Sequence, residues 1–116
     1  MTAFSAPIAE QIWDMKYRFK DVDGTPIDET VEDTWRRIAG SLAAVEDDPK
    51  AWEGKFYDAL ADFKYLPAGR ISAGAGTARS VTLFICFVMG TVPDSMAGIF
   101  DMLKEAALTM QQGGGI

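Results

Sequence analysis

The most reactive side chain in the sequence is one thiol, Cys86, the only cysteine among 116 residues. A single cysteine allows no internal disulfide and no cysteine-rich metal site. The chain also has no histidine, so the commonest general base and metal ligand are both missing, and no metal site is expected. A redox or nucleophilic role for Cys86 requires a lowered pKa or a partner group, and nothing cationic sits beside it in sequence. The competing reading is a small core hydrophobe, because free cysteine is among the most buried residue types. Two glycine-rich segments, around Gly74-Ala75-Gly76 and Gly113-Gly114-Gly115, suit close backbone approach to an anion or simple turns. No Gly-Lys-Ser/Thr follows either one, and Gly74-Ala75-Gly76 precedes an apolar run rather than following one. Neither is therefore a Walker loop or a dinucleotide fingerprint. Asp94-Ser95 reads as a helix cap, and the same side chains could hydrogen-bond a sugar hydroxyl.

The elements that would position these groups follow from periodicity. Ile8, Ile12, Trp13, Met15 and Tyr17 predict an amphipathic helix within residues 5–20. Asp23-Gly24-Thr25-Pro26 is a turn. Thr30-Val31-Glu32-Asp33 matches a capping box, and Val31, Trp35, Ile38, Leu42 and Val45 follow at helical spacing. Asp48-Pro49 starts a third helix, with Trp52, Phe56, Leu60 and Phe63 as an aromatic stripe for the core. Residues 67–77 are too rich in glycine and small residues to predict a stable helix. Val81 to Met89 is β-branched and aromatic and apolar on both faces, which predicts a strand buried on both sides. Met96, Ile99, Phe100, Leu103, Ala107 and Met110 predict a last helix opened by Pro93-Asp94-Ser95. One two-sided strand has no partner in this sequence, so the chain is expected to stop inside a domain or to be completed by another chain.

Charge divides the chain. Residues 1–66 carry 14 Asp/Glu against 8 Lys/Arg, and residues 67–116 carry three of each. The first part reads as solvated helices and the second as a segment meant for burial. A net charge of −6 argues against a nucleic-acid surface, which needs clustered cations. The apolar run Leu83–Met89 falls far short of the ~20 residues that span a bilayer. With no secretory signal expected, the expected location is cytoplasmic, with no membrane partner.

In order and spacing, six blocks resemble one family. They are Leu66-Pro67-Ala68-Gly69-Arg70-Ile71, Ala73-Gly74-Ala75-Gly76-Thr77, Val81-Thr82-Leu83-Phe84, Cys86-Phe87-Val88-Met89-Gly90, Pro93-Asp94-Ser95-Met96, and Leu103 through Gly113-Gly114-Gly115-Ile116. The series resembles the start of the catalytic barrel in adenosylcobalamin-dependent (class II) ribonucleotide reductases. Ile12-Trp13-Asp14-Met15-Lys16-Tyr17-Arg18 and Thr34-Trp35-Arg36-Arg37-Ile38-Ala39 resemble the helical region before it.

The resemblance implies an α+β fragment: a helical amino-terminal subdomain over 1–65, then, over 66–116, the first strand and helix of a ten-stranded α/β barrel. It implies that Cys86 is one cysteine of the redox pair that delivers two electrons to the ribose. Ile71 and Ser72 fall in the loop near the substrate phosphates, and Gly113, Gly114 and Gly115 in the loop against the substrate. Asp94, Ser95 and Met96 fall at the start of a deoxynucleotide triphosphate effector site at a homodimer interface. Ile85 stands where the family usually has Asn or another small polar residue, so only a backbone role carries over there. The implied partners are a ribonucleotide substrate, the effector and a complementary carboxy-terminal reductase chain, with adenosylcobalamin held mostly beyond this chain. The radical cysteine and the second cysteine of the pair cannot be present, so the chain alone is expected to be inactive. The alternative is a non-enzymatic nucleotide- or partner-binding module derived from a reductase.

Overall fold

A computed structural model describes residues 3–116, which form two compact units, one ending at Ala78 and the other Arg79–Ile116.

The first unit is helical. Helix α1, Pro7–Ile12, starts with proline at its first position, where a missing N–H costs nothing. It runs into a π-helical turn, Trp13–Tyr17. The single long helix expected over 5–20 is thus shorter and changes its pitch. Ile8, Ile12 and Met15 stay exposed while Trp13 turns into the core. Helix α2, Val31–Ala43, carries the expected capping box. The Thr30 hydroxyl accepts from Asp33 N–H at 3.4 Å, and the Asp33 carboxylate accepts from Thr30 N–H at 2.8 Å. Val31, Trp35, Ile38 and Ala39 are buried, whereas Leu42, in the last turn, is 37% exposed, and Val45 lies beyond the helix end at Ala43.

The Thr30 backbone N–H and, beyond it, its hydroxyl hold the Asp33 carboxyl below its ordinary pKa. A lowered folded-state value stabilises above the unfolded pKa and is lost as pH falls through the folded one. Asp33→Asn, which removes the titrating carboxylate, is therefore expected to cost about 0.3–1 kcal/mol at neutral pH, the usual worth of an exposed carboxylate in a helix's first turn. The difference from the unsubstituted chain should shrink on acidification below the usual aspartate range. Denaturant titrations across pH check this; a gap independent of pH would refute it.

Helix α3, Pro49–Leu60, is capped by Asp48, whose carboxylate accepts from Ala51 N–H at 3.2 Å. It packs on α2 through buried Leu60 and the edge-on contact of Trp35 with Tyr57, ring centroids 6.5 Å apart. The aromatic stripe leaves the helix before its last member. After Leu60 the chain makes a 3₁₀ turn, with Asp62 at φ 56° and Phe63 at φ 57°. A left-handed phenylalanine is strained. The surrounding packing holds it, since its ring lies 5.1 Å from Trp35 and 5.4 Å from Phe4.

Residues 67–77, expected to be non-helical, contain a short helix, α4, Gly69–Gly74. Local propensity is overruled by distant partners. The Arg37 guanidinium donates to the carbonyls of Ser72, at 3.1 Å, and Ala75, satisfying groups at the helix's carboxy-terminal end. Gly76 follows at φ +72°, and a Cβ there would lie 2.8 Å from the Arg37 carbonyl oxygen. Gly76→Ala is expected to cost at least about 2 kcal/mol, combining backbone strain with overpacking against main chain. Urea denaturation measures it, and a loss within 0.5 kcal/mol, roughly that of a neutral surface change, would count against it.

The second unit contains helix α5, Met96–Gln111, capped by Ser95, whose hydroxyl accepts from Gly98 N–H at 3.1 Å. The strand expected over 81–89 does not form. Among the described residues the segment has one isolated parallel bridge, Cys86 with Gly115. A strand needs a ladder along its edges and apolar cover on its faces. Here Val81, Leu83, Phe84, Ile85, Phe87 and Val88 are all exposed, and α5 buries only Ala106.

Candidate functional site

The carboxy-terminal glycines come back onto the cysteine segment. Phe87 N–H donates to the Gly115 carbonyl at 2.9 Å, and Gly115 N–H donates to the Ile85 carbonyl at 2.7 Å. Ile85 takes part through its backbone, with its side chain half exposed. Gly113, at φ +86°, makes the turn out of α5. Gly114 is buried, and a Cβ on it would sit 2.6 Å from the Phe87 ring. At Gly115 a Cβ would be 3.4 Å from Cys86 Sγ. Small residues are thus needed where the loop meets the cysteine segment, and the free thiol of Cys86 stays exposed. This is a backbone-lined thiol site rather than a buried core cysteine.

Asp94, Ser95 and Met96 are exposed at the start of α5, with the Ser95 hydroxyl engaged as the cap. Ile71 and Ser72 belong to the first unit, on α4. Ile71 packs partly against the core, and the Ser72 hydroxyl donates to the Pro67 carbonyl at 3.4 Å.

The first unit also holds a polar network that residue patterns did not single out. Asp28 and Arg37 form an ion pair at 2.9 Å, with side chains 4% and 9% exposed. The Asp28 carboxylate also accepts from the Thr34 hydroxyl at 2.7 Å and from Phe19 N–H at 3.1 Å. Trp13 Nε1 donates to the Thr34 hydroxyl at 3.0 Å. Arg37 reaches the carbonyls of Tyr17, Ser72 and Ala75. The one available signal was the placement of Thr34 and Arg37, three residues apart on α2, beside the apolar positions Trp35 and Ile38.

A helical unit followed by a cysteine segment bridged to a glycine loop defines a helical domain that leads into a thiol-bearing segment. The match to a known family is then specific. The model for the ribonucleotide reductase all-alpha domain covers residues 3–80, and the chain belongs to that family. It is 37% identical over 101 residues, 87% of its length, to the ribonucleoside-diphosphate reductase subunit alpha of Helicobacter pylori. It is 33% identical over 88 residues, 76% of its length, to the protein of the same name from Chlamydia trachomatis. The chain spans only 12% and 8% of these two relatives. No solved structure matches it significantly. No helix of the described residues is long and apolar enough to cross a membrane.

Proposed function

We propose that the chain is the amino-terminal portion of a ribonucleotide reductase large chain of the adenosylcobalamin-dependent class, which converts ribonucleotides to deoxyribonucleotides. In this reading residues 66–116 open the ten-stranded barrel, and the 81–89 segment becomes its first strand once neighbouring strands cover it. Cys86 is one of the redox pair. Gly113, Gly114 and Gly115 lie against the substrate, Ile71 and Ser72 near its phosphates, and Asp94, Ser95 and Met96 at the effector site of a homodimer. The observation that carries the reading is the bridge between Cys86 and Gly115, which sets an exposed thiol beside backbone open to close approach, in a chain of this family.

Adenosylcobalamin would supply the radical that starts reduction. Its cobalt is held by its own corrin ring, so no metal-ligand cluster is asked of the protein, and in this reading the cofactor would be held mostly by residues beyond this chain. The relatives' name, subunit alpha, favours a second reading: a ribonucleoside-diphosphate reductase assembled from more than one kind of subunit.

The isolated chain is expected to form no deoxyribonucleotide with adenosylcobalamin, a ribonucleotide and a dithiol. The same residues joined to a complementary carboxy-terminal chain should turn over. If the joined enzyme needs a second protein subunit in place of adenosylcobalamin, the second reading holds. Turnover by the 116-residue chain alone would overturn both.

A further inference from the structure

We propose that Arg37 is a positioning residue for the substrate-phosphate loop; this inference rests on the reductase reading, which puts Ile71 and Ser72 at that loop. Helix α4 has little else to hold it. It has six residues, too few to be stable alone, and buries only Gly74 fully. Gly69, Ser72 and the preceding Leu66 and Pro67 line a cavity of about 660 Å3 shared with Trp13 and Trp35, so one flank of the segment lacks close packing. Against this, Arg37 binds two carbonyls of the segment, those of Ser72 at 3.1 Å and of Ala75.

Asp28 holds Arg37 in turn, accepting from Nη2 at 2.9 Å and from Nε at 3.2 Å. Arg37 is thus a planar fork clamped by a carboxylate on one side and fixing main chain on the other. Its charge is matched by Asp28 and its side chain is 9% exposed, so it acts on substrate through the α4 backbone and not by touching an anion. The dependence runs both ways, because the tight fit of Gly76 over the Arg37 backbone carbonyl leaves the segment after α4 no room to shift inward.

Arg37→Lys tests this. Lysine keeps a cation beside Asp28 but cannot serve a carboxylate and several carbonyls at once. By hydrogen exchange on this chain, the amides of Ser72 and Ala75 are expected to exchange about tenfold faster, with α2 and α3 unchanged. In the complete reductase, KM for the ribonucleotide is expected to rise about tenfold with kcat within about twofold. If Arg37→Lys does not fold, Asp28→Asn, which loosens the clamp and spares the carbonyl bonds, should raise KM in the same direction by a smaller factor. Unchanged exchange in α4, or a fall in kcat with KM unmoved, would overturn the inference and leave the reductase reading standing. A complete unsubstituted chain that folds but reduces no ribonucleotide would overturn that reading and the inference with it.

Discussion

Arg37→Ala is expected to destabilise the helical unit by about 3–5 kcal/mol, the usual cost of removing one partner from a buried ion pair. With a domain's whole stability near 5–15 kcal/mol, this variant should be largely unfolded in mild denaturant. Asp28 would keep its buried carboxylate and lose its counterion. The Ser72 and Ala75 carbonyls would lose their shared donor, and each polar group stranded in this way adds about 1–3 kcal/mol when water cannot reach it.

The neighbouring residue is the control. Arg36 pairs with Asp33 at 3.2 Å, but its side chain is 61% exposed, and Arg36→Ala should cost about 0–1 kcal/mol. Urea titration followed by far-ultraviolet circular dichroism separates the two. Equal midpoints for the two variants would show that the Asp28–Arg37 pair does not organise the unit. Replacing Asp28 and Arg37 together by apolar residues should recover only part of the loss. Apolar side chains remove the lone charge but leave the carbonyls of Tyr17, Ser72 and Ala75 without Arg37.

Asp28 and Arg37 are joined across nine residues by a contact that no local sequence pattern announces. Thr30 with Asp33 and Asp48 with Pro49 are local signals, decided within three or four residues, and both start the helices they predict. Helix α4 is not local. Its donors come from Arg37, 35 and 38 residues earlier in the chain, so composition alone pointed the wrong way. The π-helical turn at Trp13–Tyr17 has the same kind of cause, since its Trp13 is anchored to Thr34 across 21 residues.

The 81–89 segment errs in the opposite direction. Its apolar, β-branched composition belongs to a strand with neighbours on every side, and among the described residues the segment has one isolated bridge, to Gly115, and a further main-chain bond, from Thr82 N–H to the Gln112 carbonyl. Composition therefore described an environment that these 116 residues do not build by themselves. The candidate site was legible only as ordered blocks. No periodicity joins Cys86 to Gly115, 29 residues on, and the contact depends on α5 and the Gly113 turn returning the chain.

Cys86→Ser in the complete reductase is expected to cut steady-state turnover with a dithiol on the order of 10³-fold or more, as loss of an essential reacting group does. In the proposed chemistry two thiols become one disulfide as two electrons pass to the ribose, and a serine hydroxyl cannot enter that bond. The substitution should leave the site's architecture intact. The flanking bonds, Phe87 N–H to the Gly115 carbonyl and Gly115 N–H to the Ile85 carbonyl, are main chain and do not involve sulfur. A hydroxyl is nearly the size of a thiol, so the replacement removes little packed volume even where neighbouring strands cover the segment. Ribonucleotide affinity and the helical signal should therefore stay within about twofold of the unsubstituted enzyme, which separates loss of electron delivery from loss of fold. Gly115→Ala is the complementary change: it keeps the thiol but places a Cβ 3.3 Å from the Ile85 carbonyl and 3.4 Å from Cys86 Sγ. It should weaken turnover only moderately, by about tenfold. If Cys86→Ser turns over at a rate comparable to the unsubstituted enzyme, Cys86 is not a member of the redox pair; if it loses turnover and substrate binding together, its role is in shaping the site.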